Sequence, residues 1–312
     1  MKREAPRLGR ARPADVGAGP GAGRGAAALP ARVGARLVVR EAFADLLAAP
    51  RHQAELVSQG VLGEVLCVRR AREGWVLAEA ANGYSGWVRA WALAVAPRAR
   101  AAGQRIVRVV VPYLPILATP SRRAERLAEA GFLSRLPLLG ASGAFFRVAL
   151  PGRGSGAAWL PRAGAERWEP RRADSAAPAL RLLAVGERLL GTPYLWGGTT
   201  SRGYDCSGFS LRMYEWAGIA LPRDAREQAA LGIDFDDPRL ARPGDLLFFG
   251  TRGRPVSHVA IAAGTGRILH AGPPCVRLDQ LAPPASRAAH RDDLLRIFRG
   301  GRRYPSRSGD PG

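Results

Sequence analysis

The sequence predicts an α+β protein in which two small β-barrels precede a larger domain of mixed helix and strand. The first half contains short alternating apolar runs separated by glycine-rich turns, and this pattern returns after seventy residues. The second half contains an amphipathic helix headed by a cysteine, followed by a glycine-rich hairpin that carries two histidines. A chain of 312 residues is long enough for these three units.

The repeat in the first half is marked by a turn of Leu-Ala-x-Pro type. Leu47–Pro50 returns as Leu117–Pro120, and Gly86-Trp87-Val88 returns approximately as Ala158-Trp159-Leu160. Short strands, turn residues and aromatic residues at regular intervals are typical of small β-barrels. The sequence therefore predicts two barrels, of which the second is a degenerate copy of the first.

Composition places the boundaries between these units. Both ends of the chain are rich in Ala, Gly, Pro and Arg without periodicity, which indicates disorder, and a similar stretch before the third unit indicates a linker. The predicted divisions are a disordered segment at 1–32, a first barrel at 33–97, a second barrel at 104–169, a linker at 170–178, a catalytic domain at 179–301 and a disordered tail at 302–312.

A cysteine stands where a helix is expected to begin. The apolar residues Phe209, Met213 and Trp216 follow Cys206 at helical spacing, so Cys206 heads the face that points into the domain. Asp205 is a suitable N-cap, and the unpaired amides of a first helical turn stabilise a thiolate. The competing interpretation is a buried structural cysteine at the start of a core helix.

Two histidines on one hairpin favour the catalytic interpretation. If residues 263–265 form a three-residue loop, residue 262 pairs with 266 and His258 lies opposite His270. Shifting both loop ends by one residue leaves the two histidines as diagonal neighbours on the same face. In either register, one imidazole can accept a thiol proton while the other fixes its tautomer and ring angle.

These residues belong to a series of motifs that spans roughly 120 residues. In chain order the motifs are Gly191–Gly198 (GTPYLWGG), Tyr204–Phe209 (YDCSGF), Leu221–Ala225 (LPRDA), Pro243–Phe249 (PGDLLFF), and His258–Ile261 with Ile268–Ala271. From about Leu180 to Gly300 the chain therefore resembles the NlpC/P60 family of papain-like cysteine peptidases, which hydrolyse bacterial cell-wall peptides.

The resemblance implies a fold and a set of catalytic roles. The expected fold is a papain-like domain with Cys206 as the nucleophile, His258 as the general base and His270 as the orienting third member. Tyr194 and Ser207 are implied to line the site near the oxyanion.

The first barrel is similar to bacterial SH3 domains, through Gly74-Trp75-Val76 and Gly83–Val88. This domain combination resembles a subset of the family, the γ-D-glutamyl-L-diamino acid endopeptidases, which accept peptides with a free N-terminal L-alanine. In that subset the barrel helps to hold the substrate ammonium. The residues expected to bind substrate here are Glu64, Tyr84, Asp205, Arg223, Asp224 and Ser257.

The predicted function is therefore hydrolysis of the γ-D-glutamyl bond to a diamino acid in peptidoglycan-derived peptides, in cell-wall turnover or recycling. An alternative is a wall-binding or scaffolding protein whose peptidase domain has little activity. Intact Cys206, His258 and His270 argue against that alternative. No cofactor is expected.

Charge and cysteine usage exclude other classes. The net charge is +21, but the arginines are scattered through every segment, so no nucleic-acid partner is expected. Cys67, Cys206 and Cys275 lack metal-ligand spacing, and no metal is expected. No stretch approaches the ~18 apolar residues of a membrane span. Without an apolar leader we expect a cytoplasmic protein, or an exported or wall-associated one if the start codon is misassigned. The sequence indicates no obligate protein partner.

Overall fold

The computed structural model describes residues 32–96, 104–152, 157–168, 178–281 and 292–304. Over these residues the chain forms two seven-stranded sheets, a two-stranded sheet and a six-stranded sheet, with few helices, which confirms the predicted α+β class. The predicted N-terminal segment and linker lie outside the described residues, apart from Arg32 and Pro178. No helix in these ranges is long and apolar enough to cross a membrane.

The first barrel is an antiparallel sheet that curves around a core of its own. Its strands are β1 (Arg36–Val39), β2 (Phe43–Leu47), β3 (Leu56–Val61), β4 (Val65–Arg72), β5 (Trp75–Glu79), β6 (Ser85–Arg89) and β7 (Leu93–Val95). They pair in the order β3-β2-β6-β5-β4-β1-β7. Alternate residues point inward, so that Leu37, Val39, Leu66, Val68 and Val88 form a buried core.

The second sheet repeats this arrangement. Its strands are β8 (Ile106–Val109), β9 (Tyr113–Leu117), β10 (Arg126–Gly131), β11 (Arg135–Ser142), β12 (Phe145–Ala149), β13 (Ala157–Pro161) and β14 (Ala165–Trp168). The order β10-β9-β13-β12-β11-β8-β14 is the order of the first barrel with every strand advanced by seven. The internal repeat inferred from the sequence therefore corresponds to two copies of one topology.

The two barrels touch through a glycine. Gly63 has φ +82°, and a Cβ built on it would lie 1.9 Å from the carbonyl oxygen of Arg135. The Arg135 N–H donates to Leu62 O at 3.1 Å, and the Leu62 side chain packs in the core of the second barrel. Only glycine allows both the left-handed backbone and this close approach.

The C-terminal domain packs helices on a six-stranded antiparallel sheet. Its elements are α1 (Pro178–Glu187), β15 (Thr199–Thr200), β16 (Gly203–Tyr204), α2 (Cys206–Trp216), α3 (Ala225–Gln228), β17 (Ile233–Phe235), β18 (Leu246–Phe249), β19 (His258–Gly264), β20 (Arg267–Gly272), β21 (Cys275–Gln280), α4 (Asp292–Arg296) and β22 (Phe298–Arg303). The sheet order is β17-β22-β18-β19-β20-β21, and α2 packs across β19 and β20.

The end of this domain differs from the prediction. The disordered tail was expected from residue 302, but β22 continues to Arg303 and pairs with β17 and β18. The Arg303 guanidinium bonds both carboxylate oxygens of Asp245, and the Tyr304 hydroxyl donates to Gln228 O at 2.6 Å. Pairing with distant strands orders a segment whose composition alone indicated disorder.

The histidine hairpin also differs from the register that was considered first. Ile261 pairs with Leu269, and Gly264 pairs with Arg267, so the turn has two residues, Thr265 and Gly266. Both have positive φ, at 51° and 70°, a pattern whose twist suits a tight hairpin. The prediction that His258 lies directly opposite His270 is wrong. The alternative diagonal arrangement is the one found.

Candidate active site

Asp205 begins helix α2 and ties neighbouring segments to it. Its backbone is extended, and its Oδ1 accepts the Gly208 N–H at 2.7 Å, so the predicted N-cap is confirmed. Its Oδ2 accepts the Gly197 N–H at 2.9 Å, which holds the preceding loop against the helix. Cys206 is thereby placed in the first turn of α2, where backbone N–H groups have no partner within the helix.

The thiol of Cys206 is buried and protonated at neutral pH. Burial raises its pKa to about 11, and the Asp205 carboxylate adds to the increase. The backbone N–H groups of Val259 and Ser207, together with the Arg223 charge, act in the opposite direction. Activation of this sulfur as a nucleophile therefore requires a base that removes its proton.

The two imidazoles lie against each other at the edge of the sheet. His258 Nε2 is 2.8 Å from His270 Nδ1, and the ring planes are 86° apart. His270 is 1% exposed, whereas His258 is half-buried at the start of β19. Nε2 of His258 therefore faces His270, and the role of His258 as the base that accepts the thiol proton stays a prediction.

The pairing between β19 and β20 ends before the two histidines. The pairing of β19 with β20 runs from Gly264↔Arg267 to Ile261↔Leu269, and His258 lies three residues beyond Ile261. The Val259 N–H donates to the Cys206 sulfur. The thiol therefore lies against the part of β19 beyond its pairing with β20.

Arg223 is paired with the N-cap carboxylate. Its Nη2 and Nη1 lie 2.5 and 3.1 Å from the two oxygens of Asp205, and Nη1 also donates to Ser207 Oγ at 2.9 Å. Its Nε donates to Val57 O of the first barrel at 3.2 Å. Both the guanidinium and the carboxylate are buried. A substrate cation near Asp205 would therefore share this carboxylate with Arg223.

Two tyrosines from different domains approach the site. Burial and the charge of Cys206 raise the pKa of Tyr194 to about 12, so its hydroxyl remains a hydrogen-bond donor. Burial and the charge of Asp224 raise the pKa of Tyr84, which belongs to the first barrel. Tyr84 thus lies within the electrostatic range of Asp224, Arg223 and Asp205, and its contact with substrate stays a prediction.

Glu64 does not lie where it was expected. One of its carboxylate oxygens is 3.0 Å from Arg212 Nη2 and 3.1 Å from Val61 N. Arg212 lies six residues after Cys206 on α2, which is about 9 Å along a helix. The assignment of Glu64 to a substrate ammonium is therefore corrected, because this carboxylate balances a buried guanidinium between the barrel and the helix.

A different barrel carboxylate reaches the peptidase loop. Glu55 Oε1 accepts the Trp196 indole N–H at 2.7 Å, and both side chains are solvent-exposed. Trp196 belongs to the loop that leads to Asp205. Sequence reasoning missed Glu55 because nothing in its local pattern marks a contact with a residue 141 positions away.

The other two expected binding residues lie near the site with different exposure. Asp224 is half-buried immediately before α3, and its side chain makes no capping hydrogen bond to that helix. Ser257 is exposed, and its N–H donates to Phe249 O at 2.9 Å. Their substrate contacts stay predictions.

The histidine pair continues into a strand that the sequence analysis did not consider. His270 Nε2 lies 3.1 Å from Asp279 Oδ2, and Arg277 Nε lies 2.9 Å from the same oxygen. Both residues are on β21, which pairs with β20. The Asp279 carboxylate reaches the His270 imidazole because β21 pairs with β20. Among the described residues, no cluster of three His, Cys, Asp or Glu side chains could hold a metal ion.

Comparisons with known proteins agree with this arrangement. The NlpC/P60 family pattern matches residues 191–287, and the pattern of the bacterial dipeptidyl-peptidase Sh3 domain matches residues 46–93. A γ-D-glutamyl-L-lysine dipeptidyl-peptidase of Bacillus cereus is 30% identical over 261 residues, covering 80% of this chain and 75% of that protein. The enzyme of the same name from Bacillus subtilis is 30% identical over 61% of this chain and 60% of its own length.

A solved structure extends the likeness to the whole architecture. The crystal structure of an NlpC/P60 family protein from Bacillus cereus matches with a TM-score of 0.74 at 25% identity. The match covers 86% of this chain and 99% of that chain. The present chain belongs to the NlpC/P60 family and is a cysteine peptidase with a bacterial SH3 domain.

Proposed function

We propose that this peptidase hydrolyses the bond between γ-D-glutamate and a diamino acid in peptidoglycan-derived peptides, with Cys206 as its nucleophile. The names of the two Bacillus relatives support the bond and substrate class. The observation that carries the catalytic assignment is the placement of Cys206 at a capped helix start, where its sulfur accepts the N–H of Val259, the residue after His258 of the imidazole pair. A buried structural cysteine needs no such pair of imidazoles.

The geometry supports a two-stage reaction. His258 Nδ1 takes the thiol proton, and Cys206 Sγ attacks the γ-carbonyl carbon of the D-glutamyl residue. The first-turn amides of α2 and the Tyr194 hydroxyl are suited to stabilise the oxyanion. When the C–N bond breaks, His258 returns the proton to the departing diamino acid amine. Water then attacks the thioester with His258 as base, which releases the γ-carboxylate and regenerates the thiol.

We further propose that the first barrel selects peptides with a free N-terminal L-alanine. Tyr84 of the barrel lies near the Asp205–Arg223 pair, and Glu55 reaches the loop that leads to it. Carboxylates and a phenol at one end of the cleft suit an ammonium group. Acylation of the peptide nitrogen removes the charge that these groups would bind, so stem peptides freed from the glycan are the favoured substrates.

Mass spectrometry of the cleavage products tests this proposal. L-Ala-γ-D-Glu-L-Lys and its meso-diaminopimelate counterpart are incubated with the protein, each with and without an N-terminal acetyl group. Release of L-Ala-D-Glu and the free diamino acid from the unacetylated peptides is expected. Equal cleavage of acetylated peptide would contradict the selectivity. Absence of cleavage together with tight binding to purified sacculi would favour a wall-binding protein.

A further inference from the structure

The carboxylate of Asp279 extends the catalytic histidine pair by one more partner. Its Oδ2 is 3.1 Å from His270 Nε2, and its side chain is 17% exposed while that of His270 is 1% exposed. The contacts thus continue from His258 Nε2 through both nitrogens of His270 to this oxygen. Because water has almost no access to His270, the partner of its Nε2 decides which nitrogen carries the proton.

We propose that Asp279 is a positioning residue that fixes the tautomers of both histidines and thereby prepares His258 to accept the Cys206 proton. This inference rests on the proposed thiol mechanism. Asp279 contacts His270, so its effect on Cys206 passes through that imidazole.

The proton positions follow from the donor and acceptor rules. An ionised carboxylate only accepts, so His270 carries its proton on Nε2 and presents an unprotonated Nδ1. His258 Nε2 must then donate to that Nδ1, which leaves Nδ1 of His258 unprotonated. When the thiol proton arrives there, His258 becomes an imidazolium, and the carboxylate charge at the far end of the pair stabilises it.

Arg277 holds this carboxylate in place. Its Nε donates to Asp279 Oδ2 at 2.9 Å, and its Nη1 donates to Pro273 O at 2.6 Å. The guanidinium thus joins the turn between β20 and β21 to the carboxylate.

Charged groups from several elements surround the Cys206 thiol and the imidazole pair. Loss of any one of them changes the local charge, so a test must compare variants that differ at one position. The groups near the thiol are its N-cap Asp205, Arg223 from the segment before α3 and Tyr194 from the loop before β15, and the groups near His270 are Asp279 and Arg277 from β21.

The chain offers a matched control for Asp279. Asp237 is also an aspartate bonded by an arginine two residues away in the sequence, with Arg239 Nε 3.0 Å from both of its carboxylate oxygens. Arg239 is exposed and Asp237 is half-buried, and the carboxylate also accepts the backbone N–H of Arg239. Asp237→Asn therefore makes the same chemical change without touching the histidines.

Nuclear magnetic resonance of the full-length protein labelled with ¹⁵N-histidine reads the tautomers directly. Wild type and Asp237→Asn should show His270 protonated on Nε2 and His258 protonated on Nε2. In Asp279→Asn the amide can donate to His270 Nε2, so the Nδ1–H form of His270 should appear. Identical histidine spectra in Asp279→Asn and wild type would overturn the proposal.

Alkylation of Cys206 by iodoacetamide as a function of pH gives a second readout that needs no peptide substrate. Without the carboxylate the imidazolium is less stable, so thiolate formation should require a higher pH. The midpoint of the alkylation curve should rise in Asp279→Asn and Asp279→Ala and stay unchanged in Asp237→Asn. Asp279→Glu restores a carboxylate and should lie between Asp279→Ala and wild type. An unchanged midpoint in both Asp279→Asn and Asp279→Ala would contradict the proposed role of Asp279.

The two proposals can fail separately. If wild type cleaves the γ-D-glutamyl peptides, Asp279→Asn should reduce kcat by about tenfold to a hundredfold, as when a group that orients a functional histidine is lost. If wild type cleaves none of them, the substrate assignment fails, while the tautomers and alkylation midpoints still decide the role of Asp279. Thermal unfolding of each variant identifies any that has lost its fold.

Discussion

The reactivity of Cys206 is decided by its immediate neighbours. Burial and Asp205 raise the pKa of the thiol to about 11, so the resting sulfur is neutral although it lies at a helix start. The helix amides alone therefore leave the thiol protonated, and the proposed mechanism assigns the removal of its proton to His258. The tyrosine beside the thiol is also protonated, because burial raises the pKa of Tyr194 to about 12.

Replacing Cys206 tests its proposed role as the nucleophile. Cys206→Ala should abolish turnover, because no other thiol lies at the start of α2. The thermal unfolding midpoint and the binding of substrate peptide should change little, since alanine tolerates a helix N-terminus and removes one buried atom. Residual turnover in a pure preparation would contradict the mechanism. Cys67→Ala, at a half-buried cysteine of the first barrel, is the control and should retain activity.

The two histidines should respond differently to substitution. His258→Ala should lose about 10²–10⁴-fold in kcat, the usual contribution of a general base. His270→Asn and His270→Gln should retain more activity than His270→Ala, because an orienting residue needs only a hydrogen-bonding group. Steady-state kinetics on the unacetylated peptide provide the comparison. Equal losses in all His270 variants, or a mild effect of His258→Ala, would reverse the assignment.

At the scale of elements, α2 is held at both ends. Asp205 caps its N-terminus, whereas near the C-terminus Arg212 bonds Gln59 O at 2.7 Å and Glu64 at 3.0 Å in the first barrel. The second barrel contributes Arg135, which lies 2.6 Å from Glu215 of the helix. The helix that carries the nucleophile is therefore placed by contacts with both barrels.

Removing Arg212 should destabilise the protein strongly. Its side chain is 5% exposed and balances both Glu64 and Glu215, so Arg212→Met leaves two largely buried carboxylates without this partner. We expect a loss of about 3–5 kcal/mol in the free energy of unfolding. Arg202→Met, at an exposed pair with Asp45, should cost about 1 kcal/mol or less. Urea unfolding measures both. Similar costs for the two variants would show that the Arg212 contacts add no stability.

The ion pairs of Glu215 with Arg212 and Arg135 predict that the stability of the protein depends on pH in the acid range. Burial alone would raise the pKa of Glu215, but the charges of Arg212 and Arg135 outweigh it and lower the pKa to about 2. Because this pKa is below the ordinary value of 4.5, the stabilisation is complete above about pH 4.5 and is lost as the pH falls toward 2. The difference in urea midpoint between wild type and Glu215→Gln should therefore be constant near neutral pH and shrink below pH 4.5. A difference that persists to pH 2 would argue against this ion pair.

At the scale of the whole molecule, the three units share one core. Val61 of the first barrel, and Phe132 and Leu133 of the second, are buried in the cluster that contains Cys206 and Phe209. The barrels are therefore fixed in position against the catalytic domain, and a barrel side chain can line the substrate site. This shared packing is the structural basis of the proposal that the first barrel selects the substrate.

Tyr84 provides the test at this scale. Tyr84→Phe should reduce the preference for free over acetylated peptide, mainly through a higher KM for the free peptide, because the phenol can no longer bond near the ammonium. Tyr113→Phe also removes one hydroxyl between a barrel and the catalytic domain, where it donates to Ser201 O at 2.6 Å. It serves as the control and should leave the preference unchanged. The ratio of kcat/KM for the two peptides measures the effect, and equal ratios in wild type and Tyr84→Phe would contradict the proposal.

The sequence by itself determined the structural features that depend on patterns of nearby residues. Helical spacing after Cys206, the Asp205 cap and the strand alternation are encoded by nearby residues, so α2 and the repeated barrels could be predicted before any contact was known. The α+β class and the family also followed, because the motifs occur in a fixed order. For the histidine hairpin, the sequence left two registers open. Thr265 and Gly266 permit a tighter turn than the three-residue loop considered first.

Contacts between distant segments were decided only by the tertiary structure. Glu64 has the residue type for an ammonium site, but packing of the barrel on α2 brings it to Arg212 instead. Asp279 reaches His270 because β21 pairs with β20, and Glu55 reaches Trp196 across 141 positions. Local sequence carries little information about such pairs, because the free energy that selects them comes from burial and charge balance in the assembled fold.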